Sequence, residues 1–138
     1  SFTGAESQMT VWPGAEHIGE LQAWDMNTGE EVWTREFESP NWGPVLTTAG
    51  NLVFMGGTTD RNFRAFDART GDQLWEHGTN SGVIGVPSTY MIDGVQYVAV
   101  QSGWGVDAAS MTRRINRDLG TEIFVPEGGV IWVFALQN

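Results

Sequence analysis

The sequence predicts an all-β fold made of short, regularly repeated strands. Three observations carry this. Glycine is abundant, with 18 in 138 residues, and so are large aromatics, with seven Trp and seven Phe; many turns between aromatic-rich runs is the composition of strand-built proteins. Apolar residues alternate at period two in several short runs. Finally, the sequence repeats itself. L-Q-A-W-D-M-N-T-G-E-E-V-W (21–33) and F-R-A-F-D-A-R-T-G-D-Q-L-W (63–75) match at an offset of 42: Ala23 with Ala65, Asp25 with Asp67, Thr28-Gly29 with Thr70-Gly71, Trp33 with Trp75.

Each copy of the motif reads as a hairpin. Leu21 and Ala23, like Phe63 and Ala65, sit on one face of a strand. The D-x-x-T-G that follows is turn chemistry: the Asp carboxylate can accept from nearby backbone N–H groups, and Gly takes positive φ without strain. A second strand then carries the Trp, whose ring is expected to pack neighbouring sheets together. Trp24 and Trp132 also lie in strand patterns and are expected to be packing residues. Further strands are expected at 43–48, 51–56, 62–67, 73–77, 85–91, 95–101 and 129–136, with I-W-V-F-A-L (131–136) a partial third copy. Copies at 21–62 and 63–104, with a closing strand at 129–136, suggest four-stranded blades packed radially, which is a β-propeller.

One segment breaks the β pattern. Met111, Ile115 and Leu119 recur at helical spacing on one face, and Gly120 is placed to stop a helix. A short inserted helix is therefore expected at about 108–119, with Asp107 as its N-cap. Arg113, Arg114 and Arg117 fall off the apolar face, as a solvated face or as a basic patch meeting carboxylates.

At 42 residues per copy, the chain makes about three blades, and closed propellers need at least about four. Three blades would leave two sheet faces bare, so the chain is expected to belong to a larger ring, completed by the same polypeptide or by a companion chain. It opens at Ser1 with neither a Met nor a signal pattern, and reads as processed or cut from something longer.

The bulk numbers exclude several functions. The formal net charge is −10 and every basic residue is Arg, which is unsuited to nucleic acid. No run is long and apolar enough to span a membrane. Cysteine is absent, so there is neither a disulfide framework nor a thiolate metal site. His17 and His77 stand alone, without a partner at metal spacing. No nucleophile elbow, zinc-protease motif or phosphate loop is present.

The motif A-x-D-x-x-T-G-x-x-x-W is similar to the tryptophan-docking repeat of pyrroloquinoline quinone (PQQ)-dependent alcohol dehydrogenases, which are eight-bladed propellers. N-W-G-P-V-L-T-T-A-G-N-L-V-F-M-G (41–56), S-G-V-I-G-V-P-S-T-Y (81–90) and G-G-V-I-W-V-F-A-L (128–136) resemble further segments of that family, and place the chain at its C-terminal end. The resemblance implies part of a periplasmic quinoprotein that oxidises an alcohol or sugar alcohol and passes electrons to a cytochrome c. Because non-enzymatic assembly propellers share the 42-residue motif, a scaffold without cofactor is the alternative.

The resemblance also implies site residues. Trp42 breaks the repeat, since its equivalent one period later is Ile84; it matches a Trp that lies flat against the PQQ ring. Ser102 to Asp107 matches a G-x-G-G-W segment whose end contacts PQQ: Gly105 keeps a Gly, Val106 replaces a Gly and Asp107 replaces the Trp. A carboxylate beside a carboxylate-bearing quinone is unfavourable unless an Arg is near. Gly105 and Val106 are therefore the expected contacts, with Asp107 accepting a hydrogen bond or starting the helix. The family's catalytic base, its Ca²⁺ or lanthanide ligands and its disulfide have no match here. No catalytic or metal-ligating residue is expected in this chain.

Overall fold

The computed structural model describes residues 8–136. Among them are nine strands in three antiparallel sheets. The first sheet pairs β1 (Gly19–Trp24) with β2 (Glu31–Phe37). The second holds β3 (Val45–Thr47), β4 (Leu52–Met55), β5 (Asn62–Asp67) and β6 (Gln73–Gly78), in chain order. The third holds β7 (Ser88–Ile92), β8 (Val95–Ser102) and β9 (Val130–Ala135), again in order. Helix α1 (Val106–Leu119) is inserted between β8 and β9. The expected strands are thus present. The copies 21–62 and 63–104 mark the repeat rather than the sheets, because the motif sits on the last hairpin of a sheet and each copy straddles two. β9 takes the third place in its sheet, as β5 does in the second, so the partial third copy is in register with the others.

The turn chemistry works as the residues dictate. Asp25 Oδ1 accepts from the N–H groups of Asn27 (2.7 Å) and Thr28 (3.3 Å); Asp67 Oδ1 accepts from Arg69 (2.8 Å) and Thr70 (3.3 Å). Gly29 and Gly71 both have φ +71°, and their N–H groups donate to the carbonyls of Asp25 and Asp67. These hydrogen bonds to the ionised form hold both carboxyls below the usual Asp range. Asp93-Gly94, with φ of 48° and 81°, makes the two-residue turn between β7 and β8, a geometry that matches strand twist.

β4, L-V-F-M, reads as a continuous apolar run because both its faces are covered, and β5 beside it is likewise buried along its middle four residues. Phe54, Phe63 and Ala65 meet Val83 on the β6–β7 connection and Val98 and Val100 of the third sheet, with Trp132 and Phe134 packed alongside. Leu21, Val53, Met55 and Phe66 form the opposite core, with Trp33 and Phe37. Phe63 is fully enclosed, its ring 5.9 Å from both Phe54 and Phe134; burying such a side chain contributes about 3 kcal/mol. The docking role expected of the motif tryptophan holds for Trp33, whose indole N–H donates to the Ala68 carbonyl at 3.0 Å, across to the next sheet's turn. Trp75 packs edge-on against Phe134 at 4.9 Å.

Two expectations need correction. Trp24 is largely exposed, its indole N–H bonded only to Gln22. It lies on the face of the first sheet turned away from the second, where nothing among the described residues covers it. Asp107 is not the N-cap. The helix starts at Val106 with Gly105 as N-cap and no side-chain cap, so Asp107 lies within the first turn. Gly120 does end the helix, in the left-handed conformation. The outer face of the first sheet exposes Trp24 and Val32 among polar residues, and that of the third exposes Ile131 and Val133.

Candidate functional site

All the candidate residues come to one end of the sheets. Register places Val45, Met55, Arg64 and Glu76 side by side at one end of the second sheet, with the Asp67–Gly71 turn at the other. In the third sheet Ser102 pairs with Val130 at the matching end, where α1 is inserted. The segments leading into β3 and β7, and the connections β4–β5 and β8–β9, therefore form a common rim.

Trp42 is fixed on this rim by a crossing that admits only glycine. Its N–H donates to the Gly57 carbonyl at 3.0 Å. A Cβ on Gly57, which has φ +93°, would lie 1.9 Å from the Gly43 nitrogen; one on Gly43 would lie 2.4 Å from the Gly56 carbonyl oxygen; one on Gly56 would lie 2.5 Å from Val83 Cβ. Asn41 completes the turn, accepting from the Gly43 N–H at 3.2 Å. The Trp42 indole emerges 39% exposed. It lines a cavity of about 560 Å³ with Trp12, Ile18, Met111, Ile115 and Leu119. The helix face read from the sequence is thus the face turned toward Trp42, while Arg113, Arg114 and Arg117 are exposed.

Gly105 and Val106 lie elsewhere on the rim. They line a second cavity of about 460 Å³ with Ile84, Gly85, Gln101 and Gly128. A Cβ on Gly105 would sit 3.2 Å from Ile84 Cδ1, so this backbone lies against the repeat equivalent of Trp42. Asp107 is exposed and lines neither cavity. The structure places Trp42 and the Gly105–Val106 edge on the same rim but in separate hollows.

Charged groups support the rim. Burial works against the Asp60 carboxylate, but hydrogen bonds from Arg64 and Thr58 outweigh it and hold its pKa below the usual Asp value. The buried Arg64 also donates to Thr58 at 2.9 Å and lies over the Phe37 ring, tying the second sheet to the first. The Met9 N–H donates to Asp118 at the end of α1 at 2.9 Å, and Arg117 pairs with the same carboxylate. Both hold the Asp118 carboxyl low, Arg117 more than Met9. His17 is held above its ordinary value, chiefly by its hydrogen bond to Glu20.

Sequence reasoning missed Trp104. It is 4% exposed and donates from Nε1 to Thr112 Oγ1 at 3.1 Å. Its ring lies against Gly82, where a Cβ would be 1.9 Å away.

Comparison with known proteins decides the family. Residues 34–98 match the family model described as glucose/ethanol/alcohol dehydrogenase, beta-propeller domain, of the PQQ type. Quinoprotein alcohol dehydrogenase PedH of Pseudomonas putida is 44% identical over the whole chain, which covers 22% of that protein. This chain belongs to the PQQ-dependent alcohol dehydrogenase family. The 1-butanol dehydrogenase (cytochrome c) of Thauera butanivorans is 42% identical over 90% of the chain, which covers 17% of that relative. Among solved structures, a europium-containing methanol dehydrogenase superposes with a TM-score of 0.72 at 33% identity, over 89% of this chain and 24% of that one. The chain thus spans about a fifth of the length of these curated relatives. The fold is that of a PQQ β-propeller, and the enzymatic relatives weigh against the scaffold reading.

An exposed aromatic face and an uncapped helix start are the chemistry that a flat, carboxylate-bearing ring takes up, here in two separate hollows of one rim. Trp42 offers a partly exposed indole on a rigid backbone, and the start of α1 offers N–H groups that no side chain caps. Among the described residues no three His, Cys, Asp or Glu side chains converge. No helix among them is long and apolar enough to cross a membrane.

Proposed function

We propose that this chain forms one wall of the cofactor site in a periplasmic quinoprotein alcohol dehydrogenase whose other blades complete the ring. The complete protein oxidises an alcohol or sugar alcohol to an aldehyde or ketone and delivers the electrons to a cytochrome c. PQQ, when bound, supplies the two-electron acceptor for that oxidation. The base that takes the hydroxyl proton and the ligands of a Ca²⁺ or lanthanide ion belong to parts of the protein beyond this chain.

The observation that carries this reading is Trp42. A large aromatic interrupts a 42-residue repeat at a rim position locked by three glycines, where its ring face can be presented without moving the backbone. Such a wall excludes water from one side of a flat ring and adds dispersion and offset stacking. Gly105 and Val106 present backbone at the edge. The uncapped first turn of α1 suits the cofactor's carboxylate oxygens better than the Asp107 side chain does.

The test is equilibrium binding of PQQ to the complete apoprotein. Trp42→Ala is expected to weaken binding about tenfold or more, from lost stacking and apolar contact, with dye-linked alcohol oxidation falling in step. Unchanged affinity would remove Trp42 from the site.

A further inference from the structure

Trp104 immediately precedes the Gly105 N-cap, so it occupies the position from which a side chain can staple the entry of the chain into a helix. Its ring does so here. It packs on Ala108 and Ala109 of the first turns of α1, and on Ile84, Ile123 and Val125 around them. On one side it is pressed against the bare Gly82 backbone, which no other residue type would leave free. Its N–H is bonded to Thr112 Oγ1, and that hydroxyl donates onward to the Ala108 carbonyl at 2.8 Å. The cover is itself tied down. Asn116 donates to the Ile123 carbonyl at 2.8 Å and accepts from the Ile123 N–H at 2.9 Å, while Ser81 donates to the Pro126 carbonyl at 2.5 Å. The chain approaching Gly105 is anchored as well: the Gly103 N–H donates to the Gly82 carbonyl at 2.7 Å.

We infer that Trp104 and Thr112 are positioning residues, which fix the placement of the Gly105–Val106 edge and so tune its approach to PQQ. The inference rests on the cofactor reading above. Gly105 contributes no side-chain cap, so the start of α1 is not set by capping. It is set by one indole held at both ends, by Gly82 on the β6–β7 connection and by the Thr112 hydroxyl within the helix. Losing the hydrogen bond frees the helix start to rotate about the ring. Thr112 lies outside the hollow lined by Gly105 and Val106, and the Trp104 ring at its wall is almost fully buried, so both act through the backbone they hold.

The complete apoprotein is titrated with PQQ, alongside Thr112→Val, Thr112→Ser and Trp104→Phe, and the thermal midpoint of each is measured. Thr112→Val keeps the shape and removes the acceptor, Thr112→Ser keeps the hydroxyl, and Trp104→Phe keeps most of the wedge without its N–H. Affinity should fall about threefold to tenfold in Thr112→Val and Trp104→Phe and stay within about twofold of wild type in Thr112→Ser. Val98→Ala, a core truncation far from the rim, should lower the midpoint more and the affinity less. Wild-type affinity in both Thr112→Val and Trp104→Phe would overturn the positioning role. So would equal losses in Thr112→Val and Thr112→Ser, or affinity that merely tracks the midpoint across all four variants. A wild-type protein that takes up no PQQ would sink the cofactor reading itself, a result distinct from wild-type binding with insensitive variants.

Discussion

The two ends of the sheets follow different rules. At the turn end, the first and second sheets are near copies: Asp25 and Asp67 accept the same pair of N–H groups at matching distances, and Gly29 and Gly71 share one φ. At the rim, the second and third sheets diverge. Trp42 stands where the repeat has Ile84, and a short connection between β4 and β5 is answered by the Gly103–Gly129 insertion with its helix. Repetition at the turn end reflects a single structural job, docking one sheet on the next. Divergence at the rim suits the ligand site proposed there, because a flat, asymmetric molecule is not recognised by identical walls. The structural burden is nonetheless heavy at the rim, where the backbone crossings are tightest.

The sharpest way to break this contrast is to place the same methyl group at each end. Gly57→Ala should be the most damaging: the added Cβ meets backbone at 1.9 Å, and the residue is held at φ +93°. A loss of at least about 3 kcal/mol is expected from strain plus overpacking, read as a large fall in the chemical-denaturation midpoint, with PQQ binding lost because Trp42 moves with Gly43. An alanine tolerated there would mean that the rim is plastic and that Trp42 is not rigidly presented.

Gly71→Ala and Gly29→Ala come next, and compare one turn with its copy. Both would pay the left-handed conformation, about 1 kcal/mol. Only Gly71 also carries a ring: its Cβ would press on Trp33 at 2.6 Å, whereas Gly29 has nothing within 4 Å. Gly71→Ala is therefore expected to cost about 1–2 kcal/mol more than Gly29→Ala. In the complete protein this difference reports on the ring. Equal losses would show that an upstream blade lays its own tryptophan on the Gly29 turn, as Trp33 lies on Gly71.

Legibility in the sequence divides along the same line. The hairpins were readable because their information is local: an Asp, a Gly and alternating apolar residues suffice. The α1 apolar face was readable for the same reason, from the spacing of Met111, Ile115 and Leu119. Trp42 was singled out because it departs from Ile84 in an otherwise repeating chain and because the segment around it resembles that of the quinoprotein dehydrogenases. The burial of Trp104 was not readable, because its partners are Gly82 and Thr112, one on another connection and one on the far turn of the helix. Asp107 misled because its residue type favours capping, while the Trp104 staple moved the start of the helix back to Val106. Trp24 misled because a strand pattern says which face a side chain takes but not whether another sheet covers that face.

The smallest expected effect separates the two ends by their protons. Asp25 and Asp67 have folded pKa values below 3.8, their carboxylates stabilised by turn N–H groups. Their contribution to stability is therefore complete above that value and is lost as pH falls through the lower folded pKa. At the rim, His17 has its folded pKa raised above 6.5, because its hydrogen bond to Glu20 outweighs the opposing effect of burial and the Glu36 charge adds to it. Its contribution is complete below 6.5 and disappears as pH rises through the higher folded value. Denaturation midpoints measured across pH should show an acid limb that Asp67→Asn flattens and His17→Gln leaves alone, together with a shallow decline above neutrality that His17→Gln abolishes and Asp67→Asn leaves alone. Both groups face solvent, so added salt should shrink the His17 limb, whose partners are side-chain charges. The Asp67 limb should resist salt better, since its largest support is a short hydrogen bond from the Arg69 backbone N–H. If salt erased both limbs equally, the turn end would be held by charge rather than by the backbone geometry that makes it repeat.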